Sequence, residues 1–242
     1  AEMLAKDLNE DINNIEYFCA GINHMAFYQK FEKKVRGKPN EDLYPRLKSL
    51  ANKIVDDEEQ SSRSNEVNKE SNKILYENVR YEILKRFGFF VTESSEHFAE
   101  YVPWFIKKNR DDIIKKYKIP IEEYIDRCEN NIKLWNDLEK DMSPIYNQPL
   151  QRSNEYASYI IDGIVNNNKI RINANVQNSG YIENLPSNCC VEIPCIINSN
   201  GFKPQKVGML PEQLAALMRT NINVQILTAE AALTKKKEHI YH

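Results

Sequence analysis

Apolar residues return every three or four positions in several stretches of the chain, with charged residues between them, and that spacing predicts helices. Leu75, Val79, Ile83 and Phe87 form one such stripe. It stops at Gly88, a residue suited to the left-handed turn that ends a helix. Met3, Leu4 and Leu8 give a shorter amphipathic turn within residues 1–9. From 106 to 140, Ile113, Ile114, Tyr117, Ile132 and Leu134 are set among Lys, Asp and Glu, which predicts mostly helix. Pro211 stands where a helix starts, and Leu214, Leu217, Val224 and Ala231 share one face of that helix through Thr234.

Elsewhere the pattern changes. Ile15 to Cys19 reads as a short strand that runs into Ala20-Gly21-Ile22-Asn23-His24, where Gly21 permits a sharp turn. Gly37, Pro39 and Pro45 make 33–46 a loop or a broken helix. Residues 52–73, rich in Asp, Glu, Asn, Ser and Lys, read as a solvated helix or an insertion. Between Tyr156 and Val207, Ile and Val rise and turn signals recur at 166–168, 178–180 and 198–201. Strands are expected at about 169–177, 190–197 and 202–207, after a helical 153–165. Helices around one modest, mainly antiparallel sheet make the fold class α+β.

Composition narrows the function classes. The chain has 242 residues, 41% of them hydrophobic and 28% charged, as in ordinary globular proteins. A net charge of -2 supplies no field for nucleic acid or anionic lipid. No apolar run reaches the roughly 20 residues of a membrane span. The opening Ala1-Glu2-Met3-Leu4 lacks the order of a signal peptide, and the 5 cysteines show no C-x-x-C spacing. A cytoplasmic protein with reduced thiols is therefore expected. There are 7 glycines and no glycine-rich dinucleotide or phosphate loop. Any dinucleotide used by this chain is expected to be held by residues outside it.

Few residues carry obvious chemistry. Of the 4 histidines, His239 and His242 lie in a charged tail. His24 follows a strand and a glycine, a place from which an imidazole can face a cleft as a metal ligand or serve as a structural residue. Cys19 reads as buried packing. The segment Thr92 to Phe105 concentrates Glu93, Glu96, His97, Glu100, Tyr101 and Trp104. That mixture suits sugar hydroxyls and the C–H face of a sugar ring, and it equally suits an aromatic core loop with a polar surface. Asn221 falls on an apolar helix stripe, so it must find a partner, either to order a loop or to line a pocket.

Three blocks taken together resemble the α-galactosidases of glycoside hydrolase family 4. They are Tyr17 to Phe27 (YFCAGINHMAF), Val79 to Phe105, and Gly180 to Thr234. The polar stretch 52–73 matches poorly. The resemblance implies an enzyme that uses NAD and Mn²⁺ and departs from the two-carboxylate scheme of most glycosidases. Oxidation at C3 of the sugar acidifies the C2 proton, a base removes it, the aglycone leaves by elimination, water adds, and the hydride returns. Within that scheme His24, in Gly21-Ile22-Asn23-His24, matches the metal ligand. Tyr101 matches the base, Glu96 and His97 are candidates for acid assistance or sugar contact, and Asn23 is a candidate sugar contact. The family pattern places a Cys-His-Ser motif and a Rossmann domain upstream of Ala1. Residues 1–242 are thus expected to be a carboxy-terminal substrate- and metal-binding domain, similar to that of lactate and malate dehydrogenase-like enzymes. The chain would be a piece of a longer enzyme or half of a split one. A homo-oligomer acting on an α-galactoside or related sugar is expected, with neither NAD nor metal held tightly by these residues alone.

Two other readings stand beside this one. A hydroxy-acid dehydrogenase substrate domain would need a histidine with a carboxylate partner and an arginine clamp, and no such group is evident at the matched positions. A non-catalytic oligomerisation or sugar-sensing module would need none of this chemistry.

Overall fold

A computed structural model describes residues 1–64, 77–121, 123–140, 149 and 155–241, with the side chains of 56–64 outside the description. In chain order the elements are α1 (Glu2–Asp7), β1 (Ile15–Ile22), β2 (Met25–Lys33), β3 (Glu41–Asp42), α2 (Tyr44–Ser64), α3 (Asn78–Phe87), α4 (Ser95–Glu100), α5 (Asp111–Tyr117), α6 (Glu123–Lys140), α7 (Ala157–Asn166), β4 (Ile170–Gln177), β5 (Cys190–Asn198), β6 (Gly201–Pro204) and α8 (Glu212–Thr234). The strands form one sheet in the order β3-β2-β1-β5-β4, with β6 also paired to β5. Every pairing between these strands is antiparallel. The α+β expectation therefore holds. No helix among the described residues is long and apolar enough to cross a membrane.

β1 and β2 form the central hairpin. Their register runs from Ile15–Lys33 to Ile22–Met25, with an irregularity at Phe18/Cys19 that leaves Gln29 as the extra residue of a bulge. Strand alternation sends Ile15 and Cys19 into one core with Leu4, Tyr28, Phe31, Leu47 and Phe90. Ala20 and Ile22 enter the other core with Met25, Phe27, Val79, Phe98, Val191 and Met218. Both faces of this hairpin are covered, so its sequence shows no apolar–polar alternation, and the 25–33 strand escaped the sequence reading.

Gly21 is not the turn. It lies inside β1, where an added Cβ would sit 2.5 Å from the Met25 carbonyl oxygen and 2.6 Å from Ala26 Cα. Close approach of the two backbones requires the glycine. The chain reverses instead at Asn23-His24, and His24 takes the left-handed conformation at φ 61.

The 33–46 segment also departs from expectation. β2 continues to Lys33, β3 pairs with it at Glu41 and Asp42, and α2 opens at Tyr44 with Pro45 in its first turn, where no amide donor is needed. Residues 52–64 are helical, whereas 65–73 and Leu75 fall outside the described residues. Val79 and Ile83 are buried, and Gly88 caps α3 at φ 81, donating to the Leu84 carbonyl at 2.9 Å. Strands β4 and β5 sit close to their expected spans, and β6 is shorter than expected, ending at Pro204. α7 occupies most of the expected 153–165, of which 153 and 154 lie outside the described residues. In α8, Leu214 and Leu217 are buried as expected, but Val224 is 64% exposed because it points away from the side of the helix on which Met218, Ile222 and Ile226 meet the core. None of the α6 residues is buried.

Candidate functional site

The site begins at the hairpin tip. The turn between β1 and β2 lifts His24 to the start of β2. A second segment, Phe90 to Glu93, is laid along the same strand. The Tyr28 N–H donates to the Phe90 carbonyl and the Thr92 N–H to the Ala26 carbonyl, both at 2.9 Å. Phe27 and Val91 form an antiparallel bridge. Arg80 of α3 fixes this segment from beneath. Its guanidinium donates to the Val91 carbonyl at 3.0 and 3.2 Å and to the Thr92 carbonyl at 3.1 Å, lies over the Phe90 ring at 4.5 Å, and pairs with Glu77 at 3.3 Å.

Glu93 is thereby delivered to His24. Its Oε2 lies 2.5 Å from His24 Nδ1, across 69 positions of sequence, and its Oε1 accepts the Ser94 N–H at 2.7 Å. Partial burial works to raise the Glu93 carboxyl, but the Ser94 amide and the His24 imidazole outweigh it and hold the group below the usual carboxylate range. Ser94 then caps α4 by accepting the His97 N–H at 3.3 Å. The six-residue helix ends at Tyr101, whose ring stacks on His24 with centroids 5.2 Å apart and planes 12° from parallel. His97 meets the same imidazole edge-on at 5.7 Å.

The structure thus brings His24, His97 and Tyr101 together. Trp104 packs against Phe87 at 5.4 Å and leaves Tyr101 to His24. Asn23 is exposed at the head of the same turn. Glu96 directs its carboxylate toward α6, where Arg127 donates to it at 3.5 Å. Burial and a hydrogen bond shared with Glu123 push the Glu96 carboxyl up, against the charges of His97 and Arg127. A hydrogen bond to the Glu100 carboxylate, at 3.2 Å, raises His97 against its own partial desolvation. Asn221 donates to the Tyr101 carbonyl at 3.3 Å, so it orders the loop that carries that ring.

Two acidic residues of the site were not picked out from sequence. Glu93 enters the sequence reading only as part of a rich segment, and its contact with His24 is a finding of the structure. Glu192 lies on β5 opposite Gly21. Burial pushes its carboxyl up, the charge of Glu93 adds to that, and His24 opposes it. No spacing rule announces either residue, because one depends on the Phe27–Val91 bridge and the other on the β1–β5 register. Cys19 is buried in the opposite core, its sulfur accepting from Asn173 at 2.8 Å.

Among the described residues no group of three or more His, Cys, Asp or Glu side chains could enclose a metal ion. A single imidazole fits as one ligand. His24 Nδ1 is engaged by Glu93, Nε2 has no hydrogen-bond partner among the described residues, and the side chain is 39% exposed.

Residues 19–242 match the sequence profile of the family 4 glycosyl hydrolase C-terminal domain. The α-galactosidase of Bacillus subtilis (strain 168) is 41% identical over 238 residues, which are 98% of this chain and 50% of that protein. The α-galactosidase of Rhizobium meliloti (strain 1021) is 28% identical over 247 residues, 97% of this chain and 45% of that protein. The chain therefore spans about half the length of these curated relatives. Among solved structures, a 6-phospho-α-glucosidase from gut microorganisms in complex with NAD and Mn²⁺ superposes with a TM-score of 0.65 at 17% identity, over 98% of this chain and 50% of that one. That likeness shows the fold.

Proposed function

The chain belongs to glycosyl hydrolase family 4, as its C-terminal domain, and from that premise we propose that it supplies the substrate and metal side of an α-galactoside hydrolase. A Rossmann domain outside these residues completes the enzyme in this reading. The observation that carries it is the stacking of Tyr101 on His24 at the hairpin tip, which sets an imidazole and a phenol from distant parts of the chain side by side.

NAD, when bound, supplies reversible oxidation at C3 of the sugar, and a divalent metal supplies the positive charge that polarises the C2 and C3 oxygens. His24 would hold the metal through Nε2, with further ligands from outside the described residues. Tyr101, as the phenolate, would take the C2 proton onto its hydroxyl oxygen. A phenol needs help to act as a base near neutrality, and a neighbouring cation gives that help. The pair of electrons left at C2 expels the aglycone from C1, and Tyr101 returns the proton to C2 when water has added. His97, with Asn23 on the same turn, would contact sugar hydroxyls. Glu96 would act from further back, since its carboxylate is tied to α6. The exposed apolar residues Tyr124, Ile125, Ile132, Leu134 and Trp135 of α6 support a homo-oligomer.

The test is turnover of nitrophenyl α-galactoside and α-glucoside by the full-length protein, with and without NAD, Mn²⁺ and reductant. Hydrolysis of the galactoside that needs both additions is expected. Undiminished hydrolysis after NAD removal and chelation would refute the reading.

A further inference from the structure

We infer that Glu93 is a positioning residue that fixes the tautomer and orientation of His24, an inference that rests on the reading of His24 as a metal ligand. A carboxylate only accepts hydrogen bonds, so the imidazole must present a proton to it. Glu93 Oε2 lies 2.5 Å from Nδ1. The proton therefore sits on Nδ1, and the lone pair is on Nε2, the nitrogen without a hydrogen-bond partner among the described residues. The opposite tautomer would set the Nδ1 lone pair against the carboxylate oxygens.

The carboxylate is itself well held. Oε1 accepts the Ser94 N–H, and the preceding residues are pinned to β2 and to the Arg80 guanidinium. Ser94 also starts α4, whose far end carries Tyr101. One short rigid unit thus grips the imidazole twice, at its Nδ1 edge through Glu93 and on its face through Tyr101. An outer carboxylate that orients a ligating histidine also makes the free nitrogen more basic.

Glu93→Gln separates the roles. If the glutamine oxygen keeps the Ser94 N–H, its amide N–H₂ faces Nδ1, which must then accept, and the proton moves to Nε2. If the amide flips, two donors meet at Ser94. The first outcome takes the lone pair off Nε2, and the second keeps it there only by setting two donors against each other, so the arrangement that frees Nε2 is disfavoured without a change in side-chain size.

The experiment is titration of the metal-free, full-length protein with Mn²⁺, followed by electron paramagnetic resonance of the free ion. Wild type, Glu93→Gln and His24→Ala are compared, with selective ¹⁵N-histidine labelling to read the His24 tautomer. Glu93→Gln is expected to weaken Mn²⁺ binding about 10–100-fold, and His24→Ala to abolish it. In the metal-free wild type the ¹⁵N shifts should report the Nδ1–H form. Abolished binding in His24→Ala with wild-type affinity in Glu93→Gln would overturn the role of Glu93 and leave the metal reading intact. Unchanged affinity in His24→Ala would overturn both. Should Glu93→Gln fail to fold, an Nε2–H tautomer in wild type would be sufficient to overturn the inference.

Discussion

Replacing Gly21 by alanine tests how the hairpin that carries the site is built. Gly21 is absent from the positive-φ residues, so alanine pays no backbone penalty there. By stiffening the unfolded chain it should even stabilise by about 0.4–1 kcal/mol. Against this, the new Cβ would lie 2.5 Å from the Met25 carbonyl oxygen and 2.6 Å from Ala26 Cα, closer than real contacts allow. A third contact, 2.9 Å to Met218 Cε, is with a flexible tip that can swing away. The two backbone contacts cannot be relieved by a rotamer change. β2 must move away from β1 in a core where both faces are packed. Overpacking of this kind costs about 1–3 kcal/mol and occasionally more, so a net loss of about 2 kcal/mol is expected. For a chain of this size that corresponds to a fall in Tm of roughly 4–8 °C, measurable by circular dichroism or by urea unfolding at constant m. Gly37→Asn is the control. Its site has open space and a left-handed φ of 73, which asparagine tolerates, so stability should stay within about 0.5 kcal/mol. A Gly21→Ala variant as stable as wild type, or more so, would refute the close-approach argument.

Three further outcomes follow from the site and its supports. Arg80→Met should cost about 3 kcal/mol, because the Val91 and Thr92 carbonyls lose a buried charged donor and Glu77 keeps Ser95 but loses its ion-pair partner; denaturation should show this, together with loosened protection of the 90–93 amides in hydrogen exchange. His97 should titrate above the ordinary histidine value by NMR, and Glu100→Gln should lower it. Since its folded value is raised, the stability it contributes is full below the unfolded value and is lost as pH rises through the folded one. Tyr101→Phe should preserve folding and Mn²⁺ binding in the full-length protein while slowing exchange of the sugar C2 proton for deuterium by about 100-fold or more; wild-type exchange would remove Tyr101 from the role of base.

What the sequence revealed follows from how locally each feature is encoded. The α3 stripe and its Gly88 stop, the β4 and β5 strands and the start of α8 rest on neighbouring residues, and periodicity located them. β2 was missed because Met25, Ala26, Phe27 and Tyr28 are all buried, and a strand covered on both faces loses its alternation. Val224 is apolar without being buried, because the face of α8 that meets the core runs through Met218, Ile222 and Ile226. Resemblance to a family singled out His24 and Tyr101, whose rings the structure stacks together. Glu93 and Glu192 were not singled out, because the Phe27–Val91 bridge brings the first to His24 and the β1–β5 register sets the second opposite Gly21, pairings between distant segments.

The backbone at His24 offers a way to separate what the imidazole does for folding from what it does for function. In a two-residue reversal whose second residue has positive φ, glycine is the favoured occupant, and a residue with a Cβ costs about 1–2 kcal/mol. His24, at φ 61, stands where glycine would fold more easily. His24→Gly relieves that strain. It also removes the stacking on Tyr101, worth about 0.5–1.5 kcal/mol, and the partly exposed contact with Glu93, and glycine adds about 0.5–1 kcal/mol of backbone entropy to be lost on folding. These terms nearly cancel, leaving an expected net loss of about 1 kcal/mol and a Tm within about 4 °C of wild type. Loss of Mn²⁺ binding by the full-length protein should nevertheless be complete. A histidine kept for packing gives the opposite result, a Tm lower by roughly 10 °C or more with metal affinity unchanged. Strain retained at a residue that the fold could do without is the signature of a functional position.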